Sequence, residues 1–582
     1  MKFRRRIAVL LTAVLLSTAM GGTAWAEPGT LADVSGDMSA PGFWVRAEAA
    51  DAPLASAEEL EALNRRILDT PACRMNDLRA AEERFDAQAF YRGLWSSLLQ
   101  DAGKMMNSRY YDEENELIGG EDLLALLNNI DGRGASADEA LRYGVCVRRT
   151  DMRSLPGGAF ATDEKEDLNY NSFQLYGVRV NEPLLIKAVS ADGEYYYCDA
   201  DCCSGWVPAE DVAICADREE WLAAWDIPDD EAIVVTEGRL FLETSNVSPE
   251  TSGVLLTLGT VLRRVDAADY DPKLNQRADV HNYPVWLPVR QEDGSYARTI
   301  ALIAQSCRVS EGFLPLTQNN ILTLAFTMLG NTYGWGGMLD SADCSSYARD
   351  IYRCFGLNLP RNTTWQAAMP ALSFDVREMD SAEKEALLAA LPAGTLLYMS
   401  GHEMLYLGQA DGRGYVISAV SSIFDLEAGR VQRIRSVVIN ALDKTMRANG
   451  KSWLESLETV IVPWVQAAEE PEPVEEELPD GTLDAALLPE EAEALEEALP
   501  EETSDAVLPL QADEFEEERM DEGLVIALLP AETEELEEAL PKGVSDTALL
   551  PEETEEPEAA APARRSVTAV RPRPRFGWRT RP

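Results

Sequence analysis

The chain has 582 residues, and its 101 acidic and 51 basic side chains give it a formal net charge of -50 at pH 7. A single hydrophobic core does not grow to this size, so we expect several domains. The negative charge repels phosphate backbones and excludes nucleic acid as a general partner.

The first 26 residues have the pattern of a secretory signal peptide. Basic side chains at positions 2, 4, 5 and 6 precede an apolar run over residues 7–16, and Ala24-Trp25-Ala26 offers small residues for cleavage. No later apolar run is long enough to cross a bilayer. We therefore predict a secreted or cell-envelope protein, in a periplasm or a cell wall, with no transmembrane segment after signal cleavage. A retained, uncleaved anchor is the alternative.

The next three regions are distinguished by their hydrophobic period. Residues 27–140 carry Leu, Ala and Glu at helical spacing, which predicts a helical N-terminal segment. From residue 141 onward, short alternating runs broken by turns are typical of small β-barrels. We predict one small all-β barrel over residues 141–217 and a second over residues 218–310.

Nine cysteines occur in the chain, and four of them are clustered at positions 198, 202, 203 and 215. Their spacing is not that of the common zinc knuckles and no histidine is near, so disulfide bonds are favoured over a metal site. An odd number leaves at least one thiol unpaired. Since nucleotide-binding loops and His-Glu-x-x-His are also missing, we expect chemistry without a metal or another cofactor.

Residues 311–466 combine helices and strands. Helical runs are predicted over residues 319–329 and 345–355, and strands over residues 395–399, 404–407 and 415–419. Helices that precede a sheet with few crossovers predict an α+β domain.

Residues 467–582 hold 34 acidic and 9 basic residues, which gives -25, or half of the net charge, in one fifth of the length. This composition predicts a disordered acidic tail. Ala-Leu-Leu-Pro at residues 486–489 recurs at residues 527–530, as in a duplicated linker. The tail's partner is unknown: its basic end, residues 564–582, suits anionic wall polymers or the acidic tract, and a solvated tail is the simpler interpretation.

Candidate catalytic residues are few, because the chain has only two histidines, His281 and His402. Cys344 opens a predicted helix, where free backbone N–H groups and the helix dipole favour a thiolate. His402 lies at the start of an apolar run, whereas His281 lies in the second barrel and is interpreted as structural. A Cys344–His402 catalytic pair is one interpretation; a buried cysteine and a structural histidine are the other.

Four ordered motifs surround these two residues, and together they resemble the NlpC/P60 family of papain-like peptidoglycan peptidases. The motifs are Tyr333-Gly334-Trp335-Gly336-Gly337, then Asp343-Cys344-Ser345, then Leu359-Pro360-Arg361 with Gln366, and finally His402 with Tyr406-Leu407-Gly408. The resemblance implies that residues 311–466 form the papain-like catalytic domain. It also implies that the two barrels are SH3-like and that the helical segment stabilises the N-terminal part, as in one architecture of that family.

The resemblance also implies a reaction. Cys344 would attack the γ-D-glutamyl to diamino-acid bond of peptidoglycan stem peptides and form an acyl-enzyme, while His402 acts as general base and acid. Ser418 is the residue in position to orient the base, although a serine is short and uncharged for this role.

The substrate-binding residues implied by the motifs are Tyr333, Trp335, Asp343, Ser345 and Arg361. Tyr333 would line the oxyanion or substrate side, and Asp343 with Ser345 would contact the free amino end of the stem peptide. Asp343 is equally well interpreted as a helix N-cap.

Three positions depart from the family pattern. Ser418 stands where His, Asn or Gln is usual, Ser346 replaces a common glycine, and Glu403 replaces an apolar residue. A catalytically impaired scaffold that binds the cell wall through its SH3-like domains is therefore the alternative function. An amidase or acyltransferase with the same pair is a third, weaker possibility.

Overall fold

The structure is a computed structural model. It describes residues 29–31, 34–45, 51–107, 109–426 and 428–467. The predicted signal peptide and the predicted tail beyond residue 467 lie outside these ranges. Within them, no helix has the length and apolar character needed to span a membrane.

The N-terminal region contains four helices and a short strand pair. The helices are α1 (Pro41–Trp44), α2 (Ala57–Asp69), α3 (Ala87–Asn107) and α4 (Gly120–Asn128), and the strands are β1 (Arg84–Phe85) and β2 (Glu139–Ala140). A capping box of Ser56 and Glu59 starts α2. Its buried stripe, with Leu63 and Ile67, joins the main core of the C-terminal domain, so α2 packs on that domain.

The first barrel is a seven-stranded antiparallel sheet. Its strands are β3 (Arg142–Cys146), β4 (Thr150–Arg153), β5 (Gln174–Val178), β6 (Pro183–Val189), β7 (Tyr195–Asp199), β8 (Ser204–Pro208) and β9 (Val212–Ile214), in the order β5-β4-β8-β7-β6-β3-β9. The long connection between β4 and β5 leaves the barrel and reaches the C-terminal domain. In this connection, the Asn169 carbonyl accepts a hydrogen bond from the Trp335 backbone N–H.

The second β region begins after helix α5 (Arg218–Trp225). Its strands are β10 (Ala232–Val235), β11 (Arg239–Phe241), β12 (Leu255–Thr257), β13 (Val261–Arg264), β14 (Asn282–Arg290), β15 (Tyr296–Ala304) and β16 (Val309–Glu311). Five of them form an antiparallel sheet in the order β15-β14-β13-β10-β16, and β11 pairs with β12.

All nine cysteines lie within the described residues, and all are free thiols. The expectation of disulfide bonds is therefore wrong for this structure. Cys198 and Cys202 are fully buried in the apolar core of the first barrel together with Cys146, where each behaves as a small apolar side chain. Cys215 belongs to a different cluster, beside Trp221.

The C-terminal domain is a mixed α/β unit built on a six-stranded antiparallel sheet. Its helices are α6 (Gln318–Phe326), α7 (Cys344–Arg353), α8 (Thr363–Gln366) and α9 (Ser381–Ala390), and its strands are β17 (Ala371–Asp375), β18 (Leu396–Met399), β19 (His402–Ala410), β20 (Arg413–Asp425), β21 (Arg430–Ala441) and β22 (Thr459–Gln466). The strand order is β17-β22-β18-β19-β20-β21. The predicted helices and central strands are confirmed, with ends that differ by a few residues.

Alternate residues of β19 and its neighbours pack on opposite faces of this sheet. One face, which we call the α7 face, carries Tyr398, Leu405 and Ile417 against α6 and α7. The other, which we call the Trp453 face, carries residues such as Met404 against Trp453 and α9. The two faces therefore have separate cores.

A buried network of charged side chains joins the first barrel to α7. Arg349, which is fully buried, donates to both carboxylate oxygens of Asp201 at 2.6 and 2.7 Å and to the Tyr176 hydroxyl at 2.9 Å. Arg179 of the barrel pairs in turn with Asp350 of α7. Breaking a buried pair leaves an uncompensated charge in the interior, which costs free energy. This network therefore holds the barrel against the helix that begins at Cys344.

Candidate active site

Cys344 is the first residue of α7. Asp343 precedes it as the N-cap residue, and its carboxylate accepts a hydrogen bond from the Ser346 backbone N–H at 2.9 Å. The Cys344 sulfur lies 3.8 Å from the Thr363 hydroxyl, and the backbone N–H of Glu403 points towards it. The side chain is partly exposed, so the thiol is held at a fixed point on the surface.

The thiol is neutral in this structure. Burial of the sulfur, together with the nearby Asp343 and Glu403 carboxyls, raises the pKa of Cys344 to about 12, against smaller lowering contributions from Thr363 and the Glu403 N–H. The sequence predicted the opposite direction from the helix dipole alone. Desolvation and two acidic neighbours are stronger than the dipole, because a helix end contributes only about 0.3–1 kcal/mol in most settings.

His402 is the first residue of β19 and is held on the Trp453 face. Its Nε2 lies 3.1 Å from the Ser418 hydroxyl oxygen, and its ring centroid is 4.9 Å from that of Trp453 in an edge-on arrangement. Burial lowers the pKa of His402 to about 3, and Arg447 adds to the effect. The imidazole is therefore neutral, and Ser418 is the hydroxyl that orients it.

The structure brings Cys344 and His402 to the same end of β19 without a direct hydrogen bond between them. The sulfur faces the peptide N–H that follows His402, whereas the ring turns towards Ser418 and Trp453. Both side chains are partly exposed, and their neighbours Asp343, Glu403 and Ser418 are buried. Because Nε2 is used by Ser418, Nδ1 is the nitrogen left to accept a proton.

Three of the predicted substrate-binding residues form a buried cluster behind the thiol. Arg361 Nη2 donates to Asp343 at 2.7 Å and Arg361 Nη1 donates to the Ser345 hydroxyl at 3.0 Å. Arg361 lowers the pKa of the Asp343 carboxyl despite its burial, so this carboxylate is ionised. With relative exposures of 3–4%, the three side chains form the wall of the site and not its open surface.

The Tyr333–Gly337 loop forms the other wall and is held by the first barrel. The Trp335 ring packs against Tyr170, which lies in the connection between β4 and β5, with centroids 4.8 Å apart and planes tilted by 40°. Gln174 Nε2 donates to the Gly336 carbonyl at 3.1 Å. Tyr333 is 5% exposed and Trp335 is partly exposed. The barrel thus contributes directly to the site.

Gly336 shows why the loop is rich in glycine. Its φ is +62°, and a Cβ atom at this position would lie 2.5 Å from the Gln174 side chain. Another residue type would therefore be strained and would push the barrel away from the loop.

The sequence analysis did not find several residues of the site. Trp453, which covers His402, lies in a segment after β21 that carries no motif, and Thr363 and Tyr170 carry no signal of their own. Gln366 is part of the third motif, and its amide is fully buried, donating to the Ser345 and Pro360 carbonyls. In the described residues, no three His, Cys, Asp or Glu side chains are grouped as a metal site.

Two regions of the chain match known protein families. Residues 330–422 match the NlpC/P60 family, and residues 159–208 match an SH3 domain of the SH3b1 type. No curated protein matches the chain.

Two solved structures match the chain, and the first of them is similar in fold. An NlpC/P60 endopeptidase from Photobacterium damselae subsp. piscicida shares 14% identity, covers 74% of this chain and 97% of its own, and superposes with a TM-score of 0.59. An NlpC/P60 family protein from Bacillus cereus shares 16% identity over 50% of this chain and 82% of its own, with a TM-score of 0.34.

Proposed function

We propose that this chain, which its NlpC/P60 domain identifies as a cysteine peptidase, hydrolyses the γ-D-glutamyl to diamino-acid bond of cell-wall stem peptides with Cys344 as nucleophile. The observation that carries the proposal is the position of a partly exposed thiol at the start of α7, at the same end of β19 as an imidazole with a free Nδ1. The substrate class follows from the family resemblance. We also propose export through the predicted signal peptide.

The base in this proposal is His402 Nδ1. With the proton on Nε2 and donated in a hydrogen bond to the Ser418 hydroxyl, the lone pair remains on Nδ1. This is the tautomer that a general base requires. To form the hydrogen bond, the ring must turn away from Trp453 and towards the sulfur. In apo structures such bonds are often long and tighten only when substrate binds.

The reaction proceeds in two halves. Nδ1 takes the thiol proton as the Cys344 sulfur forms a bond with the scissile carbonyl carbon, and the same proton then goes to the leaving amine as the C–N bond breaks. Water, activated by the neutral imidazole, attacks the thioester, and the thiol regains its proton. Neither group needs to be charged at rest, which agrees with the raised pKa of Cys344 and the lowered pKa of His402.

The substrate groove is proposed to lie along the wall formed by Trp335 and the connection that carries Tyr170. Tyr333 lies deeper, on the oxyanion or substrate side. Asp343, Ser345 and Arg361 hold the helix start, and the Asp343 carboxylate, although paired with Arg361, is the acidic group that a free stem-peptide ammonium would favour. Stem peptides that lack a free amino end are then expected to be poorer substrates.

The test is hydrolysis of defined muropeptides by the full chain, followed by mass spectrometry. Cys344→Ala is expected to lower turnover by roughly three orders of magnitude or more, since removal of a nucleophile abolishes the covalent route. Cys307→Ala is the matched control, because Cys307 is also a partly exposed free thiol but lies beside β15 in the second sheet. Equal turnover in the two variants would refute the proposal.

A wall-binding scaffold is the second candidate, and one observation favours it. The thiol is neutral and makes no direct hydrogen bond to His402 among the described residues. In that case every muropeptide is left intact by the wild-type chain, whereas sedimentation with purified cell walls is retained and is unchanged in Cys344→Ala.

A further inference from the structure

Glu403 is a buried acid for which the proposed reaction has no use. Its side chain has 0% exposure, and among the described residues neither carboxyl oxygen has a partner in hydrogen-bond geometry. In the NlpC/P60 resemblance this position is usually apolar. A buried polar group without a partner costs free energy, so its presence beside the nucleophile requires a physical account.

The register of the sheet sets the direction of this side chain. Glu403 pairs with Tyr398 across β18 and β19, and His402 pairs with Met399. Tyr398 belongs to the core of the α7 face and Met399 to that of the Trp453 face. Glu403 therefore points to the side on which Cys344 and Asp343 lie, while its neighbour His402 points the other way.

Among the described residues no cation forms an ion pair with Glu403, and the charge of Arg361 offsets the rise in its pKa only in part. The nearest, Arg361, has all three of its nitrogens in use: they donate to the Leu175 carbonyl at 3.1 Å, to Ser345 and to both oxygens of Asp343. The Tyr398 hydroxyl is adjacent and works against the rise in the Glu403 pKa, although its hydrogen bond is directed to the Gln366 amide oxygen at 3.5 Å. An ionised Glu403 would add a second, uncompensated carboxylate beside the thiol.

The groups that face Glu403 in the described residues come from three elements. They are Asp343, Cys344 and Tyr352 of α7, Arg361 of the following loop, and Tyr398 of β18. Burial, with a smaller contribution from Asp343, raises the pKa of the Glu403 carboxyl well above its usual range. The carboxyl is thus neutral in mildly acidic solution and ionises only as the pH rises.

We propose that Glu403 is a proton-controlled gate on the nucleophile: the Cys344 thiolate forms readily while this carboxyl is neutral and is opposed once the carboxyl ionises. The inference rests on the proposed role of Cys344. It adds that the peptidase works best at mildly acidic pH, because two negative charges cannot share this buried site at low cost.

The experiment measures the thiol directly and does not depend on turnover. The full chain is treated with iodoacetamide from pH 5 to 10, and peptide mass spectrometry follows Cys344, whose sulfur gains a carbamidomethyl group as iodide leaves. Glu403→Gln keeps the shape but cannot ionise, so its Cys344 should be alkylated at the wild-type rate where Glu403 is neutral and roughly tenfold faster than wild type at the higher pH values where Glu403 is ionised. Glu378→Gln, an exposed glutamate, is the control.

Identical profiles for wild type and Glu403→Gln would overturn the gate, whatever the muropeptide assay shows. If the Cys344→Ala assay fails instead, the proposed function is lost while the alkylation result stands. Where active enzyme is obtained, the turnover of wild type relative to Glu403→Gln should fall as the pH rises.

A stability measurement covers the case in which Glu403→Gln folds poorly. Glu403→Met removes the acid and restores the apolar character usual at this position. A raised pKa in the folded state means that unfolding above pH 4.5 releases the Glu403 proton. The ratio of the folding equilibrium constant of wild type to that of Glu403→Met should therefore fall by up to about tenfold for each pH unit above 4.5. A ratio independent of pH would show that Glu403 is ionised in the folded chain, and would overturn the gate.

Discussion

On the α7 face of the six-stranded sheet, buried charged groups surround the Cys344 thiol, whereas on the Trp453 face the His402 imidazole lies against an indole and a single hydroxyl. The Cys344 thiol and the His402 imidazole both lie near the first residues of β19, one on each face. The two sides suppress charge by different means. Burial and acidic neighbours keep the thiol protonated, and burial in an apolar pocket keeps the imidazole unprotonated.

This difference teaches that the thiol and the imidazole are both uncharged at rest although an ion pair lies beside the thiol. The Cys344 side depends on exact charge pairing, and the His402 side depends on packing. Removing a charged partner from the α7 face should therefore damage the fold. Changes on the Trp453 face should alter the protonation or the aim of the imidazole and leave the fold largely in place.

The largest expected effect comes from Arg361→Met. This change leaves the Asp343 carboxylate buried without its cation, and breaking a buried pair in this way typically costs about 3–5 kcal/mol of unfolding free energy. Turnover should be lost with it, because Asp343 caps α7 beside Cys344. Chemical denaturation of the full chain measures the cost.

Arg377→Met is the control for that prediction. Arg377 and Asp375 form a similar pair at 2.6 Å, but their side chains are 65% and 60% exposed. Exposed pairs contribute little, so no measurable change in stability is expected. Equal losses in the two variants would contradict the view that buried pairing supports the nucleophile side.

The sequence was sufficient for the parts of this comparison that local patterns encode. Cys344 follows an N-cap residue and starts a helix, and His402 opens an apolar strand, so both positions in the fold were predictable. The Tyr333–Gly337 loop was also found, because its glycines are a local requirement.

What could not be predicted depends on contacts between distant segments. Trp453 reaches His402 from a segment far along the chain, and Tyr170 reaches Trp335 from another domain. Glu403 was noticed as a departure from the family pattern, but its orientation follows from the pairing of β18 with β19. No spacing rule reports which face a neighbouring element will cover.

The second prediction tests whether packing sets the protonation of the base. Trp453→Ala opens the pocket to water, so the pKa of His402 should rise from about 3 towards its ordinary value of 6.5. A base acts only when neutral, so the acid limb of the turnover profile should move to higher pH, with activity lost first near pH 5.

Proton NMR can follow this pKa directly, because the chain has only two histidines and a His281→Asn variant assigns their signals. Trp453→Phe is the milder change, since it retains an aromatic ring beside the imidazole. An unchanged pKa in Trp453→Ala, with a folded spectrum, would mean that burial by Trp453 is not the cause of the lowered value.

The smallest effect is expected from Ser418→Ala. Ser418 makes one hydrogen bond to His402 Nε2 at 3.1 Å, and it is fully buried within the sheet. A neutral hydrogen bond of this kind contributes about 1 kcal/mol, so kcat should fall roughly fivefold while KM stays the same. Ser418→Thr keeps the hydroxyl and should retain more activity than Ser418→Ala. If Ala and Thr are equally impaired, the loss reflects packing and Ser418 does not orient the base; if kcat is unchanged in Ser418→Ala, the indole of Trp453 alone holds the ring.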